Sequence, residues 1–136
     1  MASFFLDSAL DDIAKGNINL GSDTFYMLLV SVAPNRSTNA KRSDIASEVS
    51  GPGYTAGGAA CSLTLANDTS GHKETITTAS TAWTSSTISA VGAVVYKHRG
   101  GAASADNLFA YLDFGGTVVD TAGTFTVNST ALTLQG

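Results

Sequence analysis

The residues of this chain that could carry chemistry are few and widely spaced. The one cysteine, Cys61, and the two histidines, His72 and His98, have no second ligand at metal-binding spacing. The triplet Asp113-Phe114-Gly115 matches the metal-binding triplet of protein kinases, but the chain has only about half the length of a kinase domain and lacks the lysine strand and catalytic loop. We therefore expect a protein that is not an enzyme, with no catalytic residue, no metal ion and no cofactor.

A long segment at residues 41–58 contains neither histidine nor cysteine, and Tyr54 is the only large side chain among its glycines. It lacks the Gly-Lys-Ser/Thr ending of a phosphate-binding loop, and Pro52 removes one of the amides that such a loop offers. Four glycines permit positive φ angles and close backbone approach: Gly51, Gly53, Gly57 and Gly58. The segment is predicted to be a shaped surface loop without chemistry of its own.

Composition limits the classes of protein that this chain can be. With 136 residues, of which 43% are hydrophobic and 13% charged, it fits one domain over residues 1–136. The net charge of −4 argues against nucleic acid as a partner, because phosphate binding draws on a basic stripe. The longest apolar run, residues 25–30, is far too short to span a membrane, so we expect no membrane association and synthesis in the cytoplasm.

The apolar pattern predicts the elements that position these residues. Apolar residues at three- and four-residue spacing, Leu10 among them, indicate a short amphipathic helix at about residues 5–15, and a helical turn is predicted at residues 44–49. Residues 24–33 and 88–96 are apolar on both faces, which is typical of covered central strands. Further short strands with regular turn signals follow, and Gly115-Gly116 is expected to end one of them. The predicted fold class is all-β, an antiparallel β-sandwich or jelly roll of about seven to eight strands with one N-terminal helix.

Four of these segments resemble a family of small structural proteins of tailed bacteriophages: residues 16–32, 41–58, 83–96 and 108–116. The resemblance covers most of the chain and implies a capsid cement or decoration protein with a jelly-roll fold. It further implies a virion protein on the outer surface of the capsid, which binds the major capsid protein, stabilises the head and pairs with itself as a homodimer or other symmetric oligomer. An acidic protein suits the outside of a shell better than its DNA-lined inside.

Five residues are candidates for these protein contacts because we expect them to be exposed and a self-contained core explains them least: Phe4, Phe5, Lys41, Arg42 and Tyr54. The two phenylalanines can dock either on a neighbour or on the sandwich itself.

Two alternatives stay open at this point. One is another virion role, in the tail, the neck or a fibre base. The other is a carbohydrate-binding module in which Trp83 or Tyr96 stacks on a sugar ring, against the plainer interpretation that Trp83 fills the core.

Overall fold

The computed structural model describes residues 3–135, which form two antiparallel β-sheets and one short α-helix. The strands are β1 (Phe4–Phe5), β2 (Phe25–Val30), β3 (Ala59–Ala60), β4 (Leu63–Asp68), β5 (Lys73–Thr78), β6 (Thr81–Lys97), β7 (Leu108–Val127) and β8 (Ala131–Gln135). The helix α1 spans Asp7–Lys15, and 3₁₀ turns lie at Arg42–Asp44 and Ala103–Ala105. The predicted all-β sandwich with a short N-terminal helix is confirmed. Residues 1, 2 and 136 of the predicted domain lie outside this description.

The larger sheet has the strand order β1-β7-β6-β2-β3, and the smaller sheet has the order β4-β5-β8. Strand β2 lies between β6 and β3 and is buried over nearly its whole length, as its two-sided apolar sequence predicts. Within residues 3–135, no helix combines the length and the apolar character that a membrane crossing requires.

The long hairpin of β6 and β7 forms the spine of the molecule. Ala90 lies opposite Val118 and Gly92 lies opposite Asp113. Residues 114–117 of β7 therefore form a large bulge opposite the single residue between Ala90 and Gly92. The prediction that Gly115-Gly116 ends the strand was wrong, because pairing with β6 resumes beyond the two glycines. Both glycines take positive φ angles in the bulge.

The N-terminal region begins with a strand rather than with the helix. Phe4 and Phe5 pair with Tyr111 and Ala110 of β7, so α1 starts at Asp7 and not at residue 5. The helix buries Ala9 but leaves Leu10 exposed, although Leu10 was expected on the apolar face. The helix is too short for a wide buried stripe, and its contact with the sheet is correspondingly narrow.

The helical turn predicted at residues 44–49 was also misplaced. The chain makes a 3₁₀ turn at Arg42–Asp44 and then runs extended beside β2, with Glu48 bridged to Val30. Backbone hydrogen bonds from Val49 N to Leu29 O and from Ser31 N to Ser47 O hold it there. Hydrogen bonding to the otherwise unpaired backbone edge of β2 therefore outweighs the weak helical preference of this segment.

Candidate functional site

The glycine loop, residues 51–58, lies directly on the backbone of two strands. A Cβ atom at Gly51 or Gly53 would come within 2.6 Å of a carbonyl oxygen of β6, and one at Gly58 would overlap the carbonyl oxygen of Met27 in β2. The Thr87 amide donates a hydrogen bond of 3.0 Å to the Pro52 carbonyl, which fixes the tip of the loop on β6. Glycine is required here because only a bare backbone fits so closely.

Tyr54 clamps the loop to β2. Its hydroxyl donates to Glu48 Oε2 at 2.6 Å and accepts from the Leu29 amide at 3.1 Å. The same Glu48 oxygen accepts from the Gly57 amide at 2.7 Å. Burial and, after it, the bond to the Glu48 carboxylate raise the pKa of Tyr54 far above its ordinary value, so the phenol stays a neutral donor.

Tyr96 and Arg42 hold the loop from its other side. The Tyr96 hydroxyl donates to the Gly57 carbonyl at 2.5 Å, and the Arg42 guanidinium lies 5.3 Å from the centre of the Tyr96 ring. Burial is the main cause that raises the pKa of Tyr96 to about 12. Both side chains thus act on the position of the loop backbone.

The Arg42 side chain ends in an ion pair with a carboxylate that is fully buried. Arg42 Nε lies 2.8 Å from Asp106 Oδ2, and the Arg42 amide donates to the Asp106 carbonyl at 2.9 Å. Burial is the largest single influence on the pKa of Arg42 and lowers it, but the bond to Asp106 and the nearby charges together outweigh it, so the net shift is upward and the guanidinium stays charged. The other carboxylate oxygen of Asp106 accepts from the Arg99 amide at 3.0 Å.

Glu48 and Asp106 are the two residues of this network that sequence reasoning missed. Glu48 lies six residues from Tyr54, and Asp106 lies 64 residues from Arg42. Neither has a spacing that identifies its partner, and only an isolated carboxylate beside an apolar stretch could have drawn attention to them.

The two N-terminal phenylalanines dock on the chain's own sheet. The Phe4 ring lies 5.3 Å from the Tyr111 ring, with the Arg36 guanidinium 5.2 Å from its centre, and Phe5 lies 5.3 Å from Phe109. The sequence left open whether the two phenylalanines dock on a neighbour or on the sandwich, and in the structure they dock on the sandwich.

The expectation that Arg42 and Tyr54 are exposed groups was wrong, since both direct their polar atoms inward. Lys41 differs from them. Its amide is held by Asp44 Oδ2 at 2.9 Å, and its backbone bridges to Asn107. No structural finding tests whether these residues contact another protein, so the interaction role of all five remains a prediction.

Exposed uncharged residues lie next to the clamp, and we call them the loop face: Val32 and Ala46, beside the Val30–Glu48 bridge, and residues 50–53. Val32 is the most apolar part of it; it lies two residues beyond the end of β2, and 62% of its surface is exposed. The Ser47 hydroxyl donates to the Val32 carbonyl at 2.9 Å, and this bond ties Val32 to the extended segment beside it. The face has a fixed shape and carries no charged side chain.

The other residues singled out for chemistry lie apart from one another. In the part of the chain that the structure describes, no three His, Cys, Asp or Glu side chains come together so as to hold a metal ion. Cys61 is buried, and burial raises the pKa of its thiol, which makes it a poor nucleophile. His98 stacks on Tyr26 with ring centres 3.8 Å apart, and Asp113 accepts from the Gly115 amide in the bulge of β7.

Trp83 and Tyr96 are both buried, so neither ring offers a face to a sugar. Trp83 packs against Phe125 and Tyr54, with ring centres 6.4 Å and 5.8 Å away. The interpretation of Trp83 as a core residue is confirmed.

Comparison of the chain with protein-family models, with curated proteins and with solved structures found no match.

Proposed function

We propose that this chain is a bacteriophage capsid cement or decoration protein, which binds the outer surface of the major capsid protein and stabilises the head without catalysis. The observation that carries the proposal is the loop face, a neutral surface of fixed shape clamped by Glu48, Tyr54 and Gly57. A surface that is already ordered binds without a large loss of conformational entropy. Repetition over a shell then multiplies a modest affinity.

The charge balance supports the same proposal. The chain has a net charge of −4 and few charged residues, which suits a protein that lies against other proteins and not against packaged DNA. A tail, neck or fibre-base role is the alternative, because the same surface would serve there. The burial of Trp83 and Tyr96 disfavours the carbohydrate-binding alternative.

In this proposal the five candidate residues have different roles, which follow from their contacts. Arg42 and Tyr54 position the loop face through Asp106 and Glu48, and Phe4 and Phe5 fasten the N-terminal strand. Lys41 remains the candidate for a direct contact.

The test is binding of the purified protein to empty shells of the major capsid protein from the same phage, measured by co-sedimentation. Val32→Glu should weaken binding roughly tenfold or more, because it places a charge on the neutral face. Val119→Glu is the matched control, since Val119 on β7 is 64% exposed against 62% for Val32. Equal binding of both variants, or no binding of the parent protein to shells, would contradict the proposal; binding to purified tails instead would favour the alternative.

A further inference from the structure

Strand β4 is an unprotected edge of the smaller sheet. Within residues 3–135 it pairs with β5 on one side only, and its four inner residues, 64–67, are all exposed. Natural edge strands are usually blocked by proline, lysine, a bulge or a very short length. Strand β4 has six residues, no proline and no basic residue, and its single charge, Asp68, lies at its end. The edges of the larger sheet, in contrast, are two-residue strands.

The phase of the hydrogen bonds determines which groups β4 offers. The Ala79 amide donates to the Ser62 carbonyl, so Ser62 and Ala79 form a hydrogen-bonded pair just before the strand. Such pairs recur at every second residue of an antiparallel ladder. The backbone N–H and C=O groups of Thr64 and Ala66 therefore also bond to β5. Leu63, Leu65 and Asn67 therefore direct their N–H and C=O groups outward, away from β5.

The outward donors and acceptors of one β4 strand match those of a second copy when the two strands are centred on Leu65. If a second copy approaches antiparallel with its Leu65 opposite Leu65, then Leu63 lies opposite Asn67 of the second copy. The pairs of Leu65 with Leu65 and of Leu63 with Asn67 are of the hydrogen-bonded kind, because their members are the outward-facing residues. Asp68 lies beyond the paired residues, so no like charges face each other across the strands.

The side chain of Leu65 fits the same register. Leu65 lies opposite Ile76 of β5, so both belong to the face of the sheet that covers the core. Ile76 is fully buried, whereas Leu65, on the outermost strand of the sheet, is 39% exposed. Across a two-fold axis, the two Leu65 side chains would be direct cross-strand neighbours with Cβ atoms about 5 Å apart.

We propose that two copies of this chain associate through β4, antiparallel and with Leu65 at the two-fold axis, to form one continuous six-stranded sheet. The contact is isologous and closes at the dimer. The inference rests on the geometry of β4 alone and not on the proposed function.

Variants of the full chain that each gain one cysteine test this register, and Cys61 stays in place because it is buried. In a hydrogen-bonded pair the two Cα atoms lie about 5.5 Å apart, which suits a disulfide. Leu65→Cys should therefore form a disulfide-linked dimer under mild oxidation. Thr64→Cys is the matched control on the same strand, because the residue opposite it is Ala66 and two copies of position 64 lie roughly 8 Å apart. Thr133→Cys reports on the other edge of the sheet, β8.

Sedimentation of the unmodified protein over a range of concentrations provides the second measurement. A dimer that Leu65→Lys weakens roughly tenfold or more would support the proposal, since like charges would then meet at the axis. A protein that is monomeric at all concentrations would overturn it, as would equal cross-linking of Leu65→Cys and Thr64→Cys. Disulfide-linked dimers of Thr133→Cys as abundant as those of Leu65→Cys would overturn it too, because they would show that copies of the chain also pair through β8.

Discussion

Arg42 is the residue on which a fully buried carboxylate depends. Its Nε lies 2.8 Å from Asp106, and removal of the guanidinium would leave that charge in the core without its ion-pair partner. We expect Arg42→Ala to lower the free energy of unfolding by about 3 kcal/mol or more. Urea denaturation followed by circular dichroism measures the loss.

The matched control for this prediction is Arg36→Ala. Arg36 also pairs with an aspartate, Asp7, and also lies over an aromatic ring, Phe4, but more than half of each charged side chain is exposed. Such a pair contributes at most about 1 kcal/mol. Similar losses for the two variants would show that burial of Asp106 is not what makes the Arg42 pair important.

The raised pKa of Tyr96 predicts how the stability of the folded protein depends on pH above pH 10. Burial raises its pKa to about 12 from an ordinary value of 10.0, so its contribution is complete below pH 10 and is lost as the pH rises toward 12. Tyr54 acts in the same direction. Tyrosinate absorbance and circular dichroism should therefore change together over this range.

Tyr96→Phe checks the assignment of the alkaline loss. The variant should be less stable at neutral pH, because the Gly57 carbonyl loses its donor, but its stability should fall less steeply above pH 10. An unchanged slope would mean that other groups cause the alkaline unfolding.

At the scale of elements, substitutions that disturb the close fit of the glycine loop on β2 should lower the free energy of unfolding. Gly58 has φ +80° and its Cβ position overlaps the Met27 carbonyl, whereas Gly100 has φ +83° and nothing within 4 Å. Gly100→Ala should cost about 1–2 kcal/mol from backbone strain alone. Gly58→Ala should cost roughly 2–5 kcal/mol, because overlap adds to the same strain. Thermal unfolding of the two variants gives the comparison, and equal costs would contradict the contact with β2.

The strands that were predicted well are those with a strong pattern of their own. Strand β2 and the second half of β6 are apolar on both faces, and such runs are recognisable without knowledge of their neighbours. Strand β1 has only two residues, and two residues cannot display a period. Its existence depends on Tyr111 and Ala110, which lie far along the chain.

The candidate site was predicted only in part for a similar reason. Tyr54 and Arg42 were recognised as notable residues, but their inward direction depends on Glu48 and Asp106. The approach of these carboxylates is decided by the 3₁₀ turn and by the extended segment beside β2, which have weak local signals. Residue type was therefore predictable, and orientation was not.

For the whole molecule, the two proposed contact surfaces belong to different sheets. The loop face borders β2 of the larger sheet, and the self-pairing edge is β4 of the smaller one. Val32 and Leu65 can therefore be changed separately, and shell binding and self-association can succeed or fail independently. A protein with both surfaces would link neighbouring sites on a shell.

The pairing of Phe4 with Tyr111 also determines the order in which the protein can be completed during translation. The ribosome must add more than a hundred further residues before the partner of this first strand exists. Until then two aromatic side chains near the N-terminus remain without their native contacts, at the stage when a nascent chain is most prone to aggregate. Since contacts between distant residues also form slowly, we expect β1 to join the larger sheet late in folding.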